Sequence, residues 1–282
     1  MRIEISDDCD LRKIAESGQC FRWNEAEDGA WRVISGDRCI YIKHEGESCF
    51  DVSCDSTEFE SYWHRYLDLD TSYRMIRGKV DRNRDPFLYE SCMDEQGIRI
   101  LRQNPFETLI SFIISQNRNI PIIRRSIELL SSEAGTELVD TRGVTYYSFP
   151  EPWQIAAMSG EALGRCRLGY REPYVRRTAE GVLDGSIDLA KMTCADKSAS
   201  DVSEAGTIKG LCQIYGVGPK VANCMSLFGL HHLDAFPIDV WVKRILAGKY
   251  PDGYPIESYR PYNGVYQQYM FAHYRKLSKG QA

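Results

Sequence analysis

The sequence predicts an α+β fold in which an N-terminal antiparallel β-sheet domain, residues 1–84, precedes a mostly α-helical core, residues 85–282. Short segments rich in β-branched and aromatic residues alternate with turn residues in the first part, which is typical of paired strands. Apolar residues recur at helical spacing in the second part. A chain of 282 residues is long enough for two hydrophobic cores.

The N-terminal part contains the predicted strands Phe21–Trp23, Trp31–Ile34, Cys39–Lys43 and Cys49–Val52. Asp28-Gly29 and Ser35-Gly36-Asp37 have the residue types of tight turns, so consecutive strands should pair in antiparallel fashion. A helix with its apolar residues on one face is predicted over Thr57–Leu67.

The helices predicted after the sheet often have proline in the first turn, where its missing N–H group costs no hydrogen bond. These helices are Pro105–Ile114, Pro121–Leu130, Pro152–Met158, Pro173–Leu183, Gly206–Ile214, Val221–Leu230, Asp239–Leu246 and Tyr262–Tyr274.

The composition argues against several classes of protein. The longest apolar stretch, Leu109–Ile114, is far too short to cross a bilayer, and acidic residues stand where a signal peptide would be apolar. Ten cysteines occur without a Cys-x-x-Cys pair, and none follows Cys224, so neither a zinc site nor an iron–sulfur cluster near the C-terminus is expected. We predict reduced thiols and a cytoplasmic protein, nucleoid-associated if bacterial.

The net charge of −5 is unevenly distributed along the chain. Residues 1–100, 101–204 and 205–282 carry net charges of −8, −2 and +5, respectively. A polyanionic partner is therefore expected to meet the C-terminal part.

The segment from Leu211 to Lys220 predicts a tight turn between two helices. Gly216 and Gly218 lack the Cβ atoms that would keep another backbone away, and their N–H groups favour a phosphate at the start of the second helix. A dinucleotide-binding motif is excluded because no strand precedes the glycines and a third glycine is absent. An ordinary αα-hairpin without a ligand remains an alternative.

Two side chains of catalytic type are predicted at successive helix N-termini, 19 residues apart. At Lys220 the helix dipole disfavours an ammonium group and so favours the neutral amine of a nucleophile. Asp239 follows a proline turn and should be a buried, ionised N-cap that can stabilise positive charge on a sugar. A phosphate-binding lysine and a structural cap are the alternatives for each residue taken singly.

Gly216-Val-Gly-Pro-Lys220 followed by Pro237-Ile-Asp239 resembles the helix-hairpin-helix and Gly/Pro-Asp signature of base-excision DNA glycosylases. Further segments resemble motifs of the 8-oxoguanine DNA glycosylase/AP lyase family, namely Ser17–Trp23, Arg99–Glu107, Ser111–Asn117, Leu168–Arg171 and Gln267–Phe271. The resemblance extends from about residue 5 to residue 275, with the hairpin over about 206–230.

The resemblance implies a bifunctional enzyme that flips 8-oxoguanine out of double-stranded DNA into a cleft between the sheet domain and the helical core. Lys220 matches the family's Schiff-base nucleophile, which also cleaves the strand by β-elimination, and Asp239 matches the essential aspartate. A monomer that requires no cofactor and no membrane is implied. The family also suggests a structural cation at the backbone carbonyls of Cys212, Ile214 and Val217.

Four residues match those that recognise the damaged base. Gly18 matches the glycine whose carbonyl accepts the N7 hydrogen that 8-oxoguanine has and guanine lacks, a difference of ~1–3 kcal/mol in a buried pocket. Cys224 and Phe271 match the residues that sandwich the flipped base, and Gln267 matches the residue that hydrogen-bonds its Watson–Crick edge. Periodicity alone would place Cys224 and Phe271 in helix cores, and a simple turn would account for Gly18.

Asn117, Tyr170 and Arg171 match residues that fill the vacated stack and contact the orphaned cytosine. A helix cap is the alternative for Asn117, and a solvated loop charge is the alternative for Arg171. Ile122 stands where well-known members have a second arginine, which predicts weaker discrimination of the base opposite the lesion. Trp241 stands where some members have histidine, which leaves the contact near the scissile phosphate undefined.

Two other functions stay open from the sequence. The first is the same chemistry on another oxidised base, such as a pyrimidine; the missing iron–sulfur cysteines and the presence of Gly18, Gln267 and Phe271 disfavour it. The second is a non-catalytic helix-hairpin-helix DNA-binding module. Such a module would keep the two glycines but would need neither Lys220 nor Asp239.

Overall fold

A computed structural model describes residues 1–193 and 204–280. It opens with a five-stranded sheet of order β1-β5-β4-β3-β2, in which every neighbouring pair is antiparallel. The strands are β1 Arg2–Glu4, β2 Trp23–Glu25, β3 Trp31–Ser35, β4 Arg38–Gly46 and β5 Cys49–Val52. Val33 lies opposite both Trp23 and Ile40, and all three side chains are fully buried. One face of the sheet therefore carries an apolar row.

Helices make up most of the remainder. They are α1 Leu11–Glu16, α2 Ser56–Glu58, α3 His64–Tyr66, α4 Tyr73–Arg77, α5 Pro86–Asp94, α6 Pro105–Ser115, α7 Ile120–Ala134, α8 Pro152–Ala157, α9 Gly160–Arg165, α10 Glu172–Leu183, α11 Leu189–Met192, α12 Glu204–Leu211, α13 Pro219–Phe228, α14 Val240–Lys249 and α15 Asn263–Gly280. A π-helical turn, Phe59–Trp63, joins α2 to α3, and a hairpin of β6 Glu137–Val139 and β7 Thr145–Tyr147 follows α7. The predicted α+β fold is confirmed.

One predicted strand, Phe21–Trp23, is wrong at its start, because the strand begins at Trp23. Phe21 turns away from the sheet, and its ring packs edge-on against Phe112 of α6 at 5.6 Å between ring centres. The chain thus delivers one aromatic residue to each core. The predicted helices between Pro105 and Tyr274 are all present, with ends displaced by a few residues.

The described residues form two hydrophobic cores. The first lies between the sheet and the segment that runs from α2 to α3, and it includes Trp23, Trp63 and Leu67. The second is built from the helices, and it already includes Tyr73 and Val80, which precede residue 84. The division of the chain at residues 84 and 85 stays a prediction.

Arg99 links the two parts of the molecule. Its guanidinium is fully buried, donates to the backbone carbonyls of Leu67, Asp8, Asp68 and Thr71 at 2.6–3.0 Å, and stacks on Tyr73 at 4.5 Å. A buried cation whose donors are satisfied by carbonyls fixes the chain around it. The connection from the sheet to α6 is therefore rigid.

The cysteines of the described segments, which leave out Cys194, are all free thiols. In the same segments no helix combines the length and the apolar character that a membrane span requires.

Candidate active site

The hairpin between α12 and α13 depends on one glycine for packing and on another for access. Gly216 has φ +83°, and a Cβ atom there would lie 2.3 Å from the ring of Tyr174, so only glycine fits. Gly218 is the N-cap of α13 in extended backbone, and nothing lies within 4 Å of the place of its absent Cβ. The N-terminus of α13 is therefore open to a ligand.

Lys220 occupies the second position of α13, and its side chain lies over an apolar floor. Its amine lies 5.3 Å from the centre of the buried Phe112 ring, and Cys224 lies one turn further along the same helix. Burial raises the pKa of the Cys224 thiol and outweighs the opposing influence of the Lys220 charge. The amine therefore faces a neutral thiol and an aromatic ring.

Asp239 is the N-cap of α14, as predicted. Its Oδ1 atom accepts hydrogen bonds from the N–H groups of Trp241 at 2.9 Å and Val242 at 2.8 Å. The charge of Asp239 also raises the pKa of the Cys224 thiol, whereas the charge of Lys220 lowers it. The expectation of a buried carboxylate is wrong: Asp239 is half-buried, because it lies in a stretch whose neighbouring residues Ile238 and Val240 are exposed.

Gly18 and Phe271 face each other where the sheet domain meets α15. Gly18 follows α1 with φ +84°, and a Cβ atom there would lie 3.9 Å from Cε1 of Phe271. Gln19 fixes this loop, because its amide donates to the carbonyl of Arg99 and accepts from the N–H of Leu101, both at 2.8 Å. The rigid connection described above therefore sets the position of Gly18.

Gln267 lies one turn before Phe271 on α15 and is buried. Its amide oxygen accepts a hydrogen bond from Gln268 at 2.9 Å, and among the described residues no hydrogen bond from its amide nitrogen is present. The Arg275 guanidinium lies 5.0 Å from the ring centre of Phe271. Gln267 thus keeps a donor for a ligand beside an aromatic face.

Phe112 connects the lysine side of the site to the glycine side. Its ring lies beneath Lys220 and packs against Phe21, three residues after Gly18. The sequence placed Phe112 in the predicted helix Pro105–Ile114 and did not indicate its part in the site. Its place inside the motif Ser111–Asn117 was the signal that could have indicated it.

A second group of predicted residues forms its own cluster. Asn117, with φ +52°, donates to the hydroxyl of Tyr170 at 2.9 Å, and the Arg171 guanidinium lies 4.1 Å from the centre of the Tyr170 ring. Arg171 donates to the carbonyl of Gln116 at 2.8 Å, while the amide of Gln116 donates to the carbonyl of Gly216 at 3.0 Å. Gln116, which sequence reasoning did not single out, therefore joins this cluster to the hairpin.

The alternatives considered for two of these residues are wrong. Arg171 is only 4% exposed, so it is not a solvated loop charge. Asn117 caps no helix, because Asn119 is the N-cap of α7 and Gln116 is the C-cap of α6.

Two residues, Ile122 and Trp241, depart from the family pattern. Ile122 lies in the first turn of α7 and is 48% exposed. Trp241 packs edge-on against Tyr274 at 6.4 Å, and the Arg244 guanidinium lies 5.1 Å from the centre of the Trp241 ring. No charged side chain replaces the family arginine at position 122.

The carbonyls of Cys212, Ile214 and Val217 lie in the turn between α12 and α13. The Ile214 carbonyl accepts the N–H of Val217 at 2.9 Å, which leaves it one further lone pair. The turn can therefore offer oxygen ligands to a cation, although one of the three is already engaged.

An antiparallel sheet joined to a helical core, with a lysine and an aspartate at two successive helix N-termini, defines a DNA glycosylase of the helix-hairpin-helix class. A family model described as the N-terminal domain of 8-oxoguanine DNA glycosylase matches residues 2–109. The chain is 37% identical over 262 residues to the N-glycosylase/DNA lyase of Saccharomyces cerevisiae. The matched region covers 85% of this chain and 68% of the yeast protein. The chain belongs to the 8-oxoguanine DNA glycosylase/lyase family.

Two solved structures share the whole architecture. One is a complex of MBOgg1 with a low-affinity DNA ligand, with a TM-score of 0.89 and 36% identity over 98% of this chain and 96% of that chain. The other is the Clostridium acetobutylicum 8-oxoguanine glycosylase/lyase bound to double-stranded DNA with cytosine opposite 8-oxoguanine. Its TM-score is 0.86, with 31% identity over 99% of this chain and 98% of that chain.

Proposed function

We propose that this protein excises 8-oxoguanine from double-stranded DNA and then cleaves the damaged strand, with Lys220 as the nucleophile. One observation carries this proposal: an amine and a carboxylate lie at two successive helix N-termini, Lys220 in the first turn of α13 above the buried Phe112 ring and Asp239 as the N-cap of α14. The yeast relative is an N-glycosylase/DNA lyase, and an amine nucleophile that forms an imine can account for both activities.

The proposed chemistry begins at the glycosidic bond. Asp239, whose Oδ1 atom accepts hydrogen bonds from two backbone N–H groups, stabilises positive charge that develops on the deoxyribose as the bond from C1′ to N9 breaks. The bonding electron pair leaves with the base, which takes up a proton. The amine of Lys220 forms a bond to C1′ and gives up two protons, one to the departing base and one to O4′, as the bond from C1′ to O4′ breaks and the sugar ring opens to an imine.

Strand cleavage follows from the imine. The imine makes the hydrogen on C2′ acidic. A general base removes that proton, and the electron pair left on C2′ expels the 3′ phosphate from C3′. The strand is cut on the 3′ side of the lesion, and water later releases the unsaturated sugar from Lys220. Every bond change is supplied by this chain, water and the DNA, so the proposal includes no cofactor.

Base recognition is assigned to the surfaces around the cleft. The flipped base lies between Cys224 and Phe271, its N7 hydrogen is donated to the carbonyl of Gly18, and its Watson–Crick edge meets Gln267. Support comes from the contact distance between Gly18 and Phe271 and from the free donor of Gln267. Guanine has an acceptor at N7, which would leave two buried acceptors facing each other at a cost of ~1–3 kcal/mol.

The duplex is proposed to lie across the hairpin and the neighbouring cluster. Gly216 and Gly218 bring backbone N–H groups to a phosphate, while Asn117, Tyr170 and Arg171 occupy the gap left by the flipped base. A cation at the hairpin carbonyls would hold the turn in shape and takes no part in the reaction. We expect a monomer located with the DNA, cytoplasmic and nucleoid-associated if the source is bacterial.

An end-labelled duplex with one 8-oxoguanine opposite cytosine tests the proposed function. We expect free 8-oxoguanine and a strand cut 3′ to the lesion, and no product from the undamaged duplex. Lys209→Gln, which changes an exposed lysine on α12, should leave both products unchanged. Release of an oxidised pyrimidine but not of 8-oxoguanine would indicate a glycosylase for another oxidised base. Tight binding without any base release would indicate a non-catalytic DNA-binding module.

A further inference from the structure

Arg118, which lies beside Asn117 and close to Arg171, has no role in the function proposed above. Arg118 directly follows Asn117, and its Nη2 atom and Nη1 of Arg171 lie 3.9 and 4.0 Å from the place of the absent Cβ of Gly169. Gly169 has φ +61° and leaves a gap between the two guanidinium groups. Two cations therefore converge on one backbone position.

These cations have no acidic partners. Among the described residues, no ion pair involves Arg118, Arg171 or the neighbouring Arg167. Nearby arginines are paired, as in Arg22 with Glu128 and Arg165 with Glu133. Burial and the charge of Arg171 lower the pKa of Arg118, which means that its charge is uncompensated here. An anion in this position would relieve the repulsion.

The donors of Arg118 favour a phosphate over a base edge. Its Nη1 atom donates to the hydroxyl of Ser126 at 2.7 Å, and Nη2 donates to the carbonyl of Arg167. Base reading by arginine uses two parallel donors that are both free to reach the groove. One N–H group of each outer nitrogen of Arg118 is engaged inside the protein, which holds the guanidinium in place, and the remaining N–H groups and the positive charge are available to a phosphate.

We propose that Arg118 binds a backbone phosphate of the undamaged strand, next to the base opposite the lesion. The inference rests on the proposed function, because the strand follows from the assignment of Asn117, Tyr170 and Arg171 to the orphaned base. Arg118 supplies the charge that Ile122 does not. It contributes affinity that is independent of the opposite base, whereas a base-reading arginine would contribute selectivity.

The salt dependence of binding tests this role. In a Lys220→Gln background, Arg118→Ala should weaken binding roughly tenfold for duplexes with each of the four bases opposite 8-oxoguanine. It should also reduce the slope of log K against log salt concentration by about 1. Arg118→Lys should keep most of the slope, and Arg84→Ala, an exposed arginine before α5, should change neither quantity.

A scan with single methylphosphonate linkages locates the contact. We expect one neutral linkage on the undamaged strand to weaken binding by the protein with Arg118 and to have no further effect on Arg118→Ala. A sensitive linkage on the damaged strand, an unchanged salt slope, or a loss confined to the cytosine duplex would overturn the inference. Failure of the protein to bind any lesion duplex would instead count against the proposed function.

Discussion

Lys220 and Cys224 lie four residues apart on α13, on the same face of that helix. One rigid helix therefore carries both the proposed nucleophile and one wall of the proposed base site. Residues four positions apart on a helix share a face, so the distance between the amine and a base stacked on Cys224 is set by helix geometry. Productive placement of C1′ then depends on few other contacts.

Asp239→Asn should separate the charge of this residue from its capping role. Asparagine caps a helix about as well as aspartate, so the free energy of unfolding should change little. Loss of the negative charge should slow base release by about 100-fold or more. Single-turnover release of 8-oxoguanine measures the rate, and Asp188→Asn, the same change at the N-cap of α11, is the control. A variant that is inactive only because it is unfolded would contradict this assignment.

Gly18→Ala should reduce discrimination between 8-oxoguanine and guanine. A non-glycine residue at φ +84° costs roughly 1–2 kcal/mol, and a shift of the backbone moves the carbonyl away from N7. Gly29→Ala imposes similar strain at φ +78°, in open space with no atom within 4 Å of the added Cβ. We expect similar stability losses, but only Gly18→Ala should lower the ratio of affinities for damaged and undamaged duplexes, by roughly fivefold or more. If both variants had the same ratio of affinities for damaged and undamaged duplexes, the Gly18 carbonyl would not be the group that recognises the N7 hydrogen.

Selectivity for the base opposite the lesion should be weak, because position 122 carries an exposed isoleucine. A bidentate arginine contributes ~1–3 kcal/mol to discrimination. We expect excision rates opposite adenine and cytosine within about tenfold of each other, and a stronger preference for cytosine in Ile122→Arg. Rates measured with all four opposite bases provide the test, and a strong native preference for cytosine would refute the prediction.

Acid should weaken the contact between Asp68 and His231, which follows α13. Burial alone raises the pKa of Asp68, but hydrogen bonds and charge from His231 and Arg102 lower it to about 2. Because this pKa is below the unfolded value of about 3.9, the ionised carboxylate stabilises the fold above pH 4, by about 2 kcal/mol. That contribution is lost as the pH falls towards 2.

Denaturant unfolding of Asp68→Asn tests this stability contribution. The variant should lose stability at pH 5 and show a smaller further loss between pH 4 and pH 2 than the native protein. Asp70→Asn changes a carboxylate that is 84% exposed and should behave like the native protein. An Asp68→Asn protein with an unchanged acid profile would show that the pair with His231 contributes nothing.

The parts of the fold that sequence predicts have strong local signals. The strands β3, β4 and β5 are rich in β-branched and aromatic residues, and α6, α7 and α10 have proline near their start. By contrast, β1, β6 and β7 are three residues long each, so no alternation can be recognised in them. Their pairing depends on neighbours that the local sequence does not specify.

The candidate site likewise contains residues that the local sequence predicts and residues that it does not. Lys220 and Asp239 lie at helix starts that their own sequence marks, so both positions were predictable. Arg118 was not, because its significance comes from Arg167 and Arg171, about 50 residues further along the chain. The exposure of Asp239 and the burial of Arg171 likewise depend on how separate elements pack.

Borohydride trapping tests the central claim most directly, because it reduces an imine between protein and DNA to a stable amine. With a duplex that contains 8-oxoguanine opposite cytosine, we predict a covalent complex for the native protein and for Lys209→Gln. Lys220→Gln should bind the duplex, release no base and form no covalent complex. Trapping by Lys220→Gln, or efficient base release by the native protein without any trapped complex, would contradict the account.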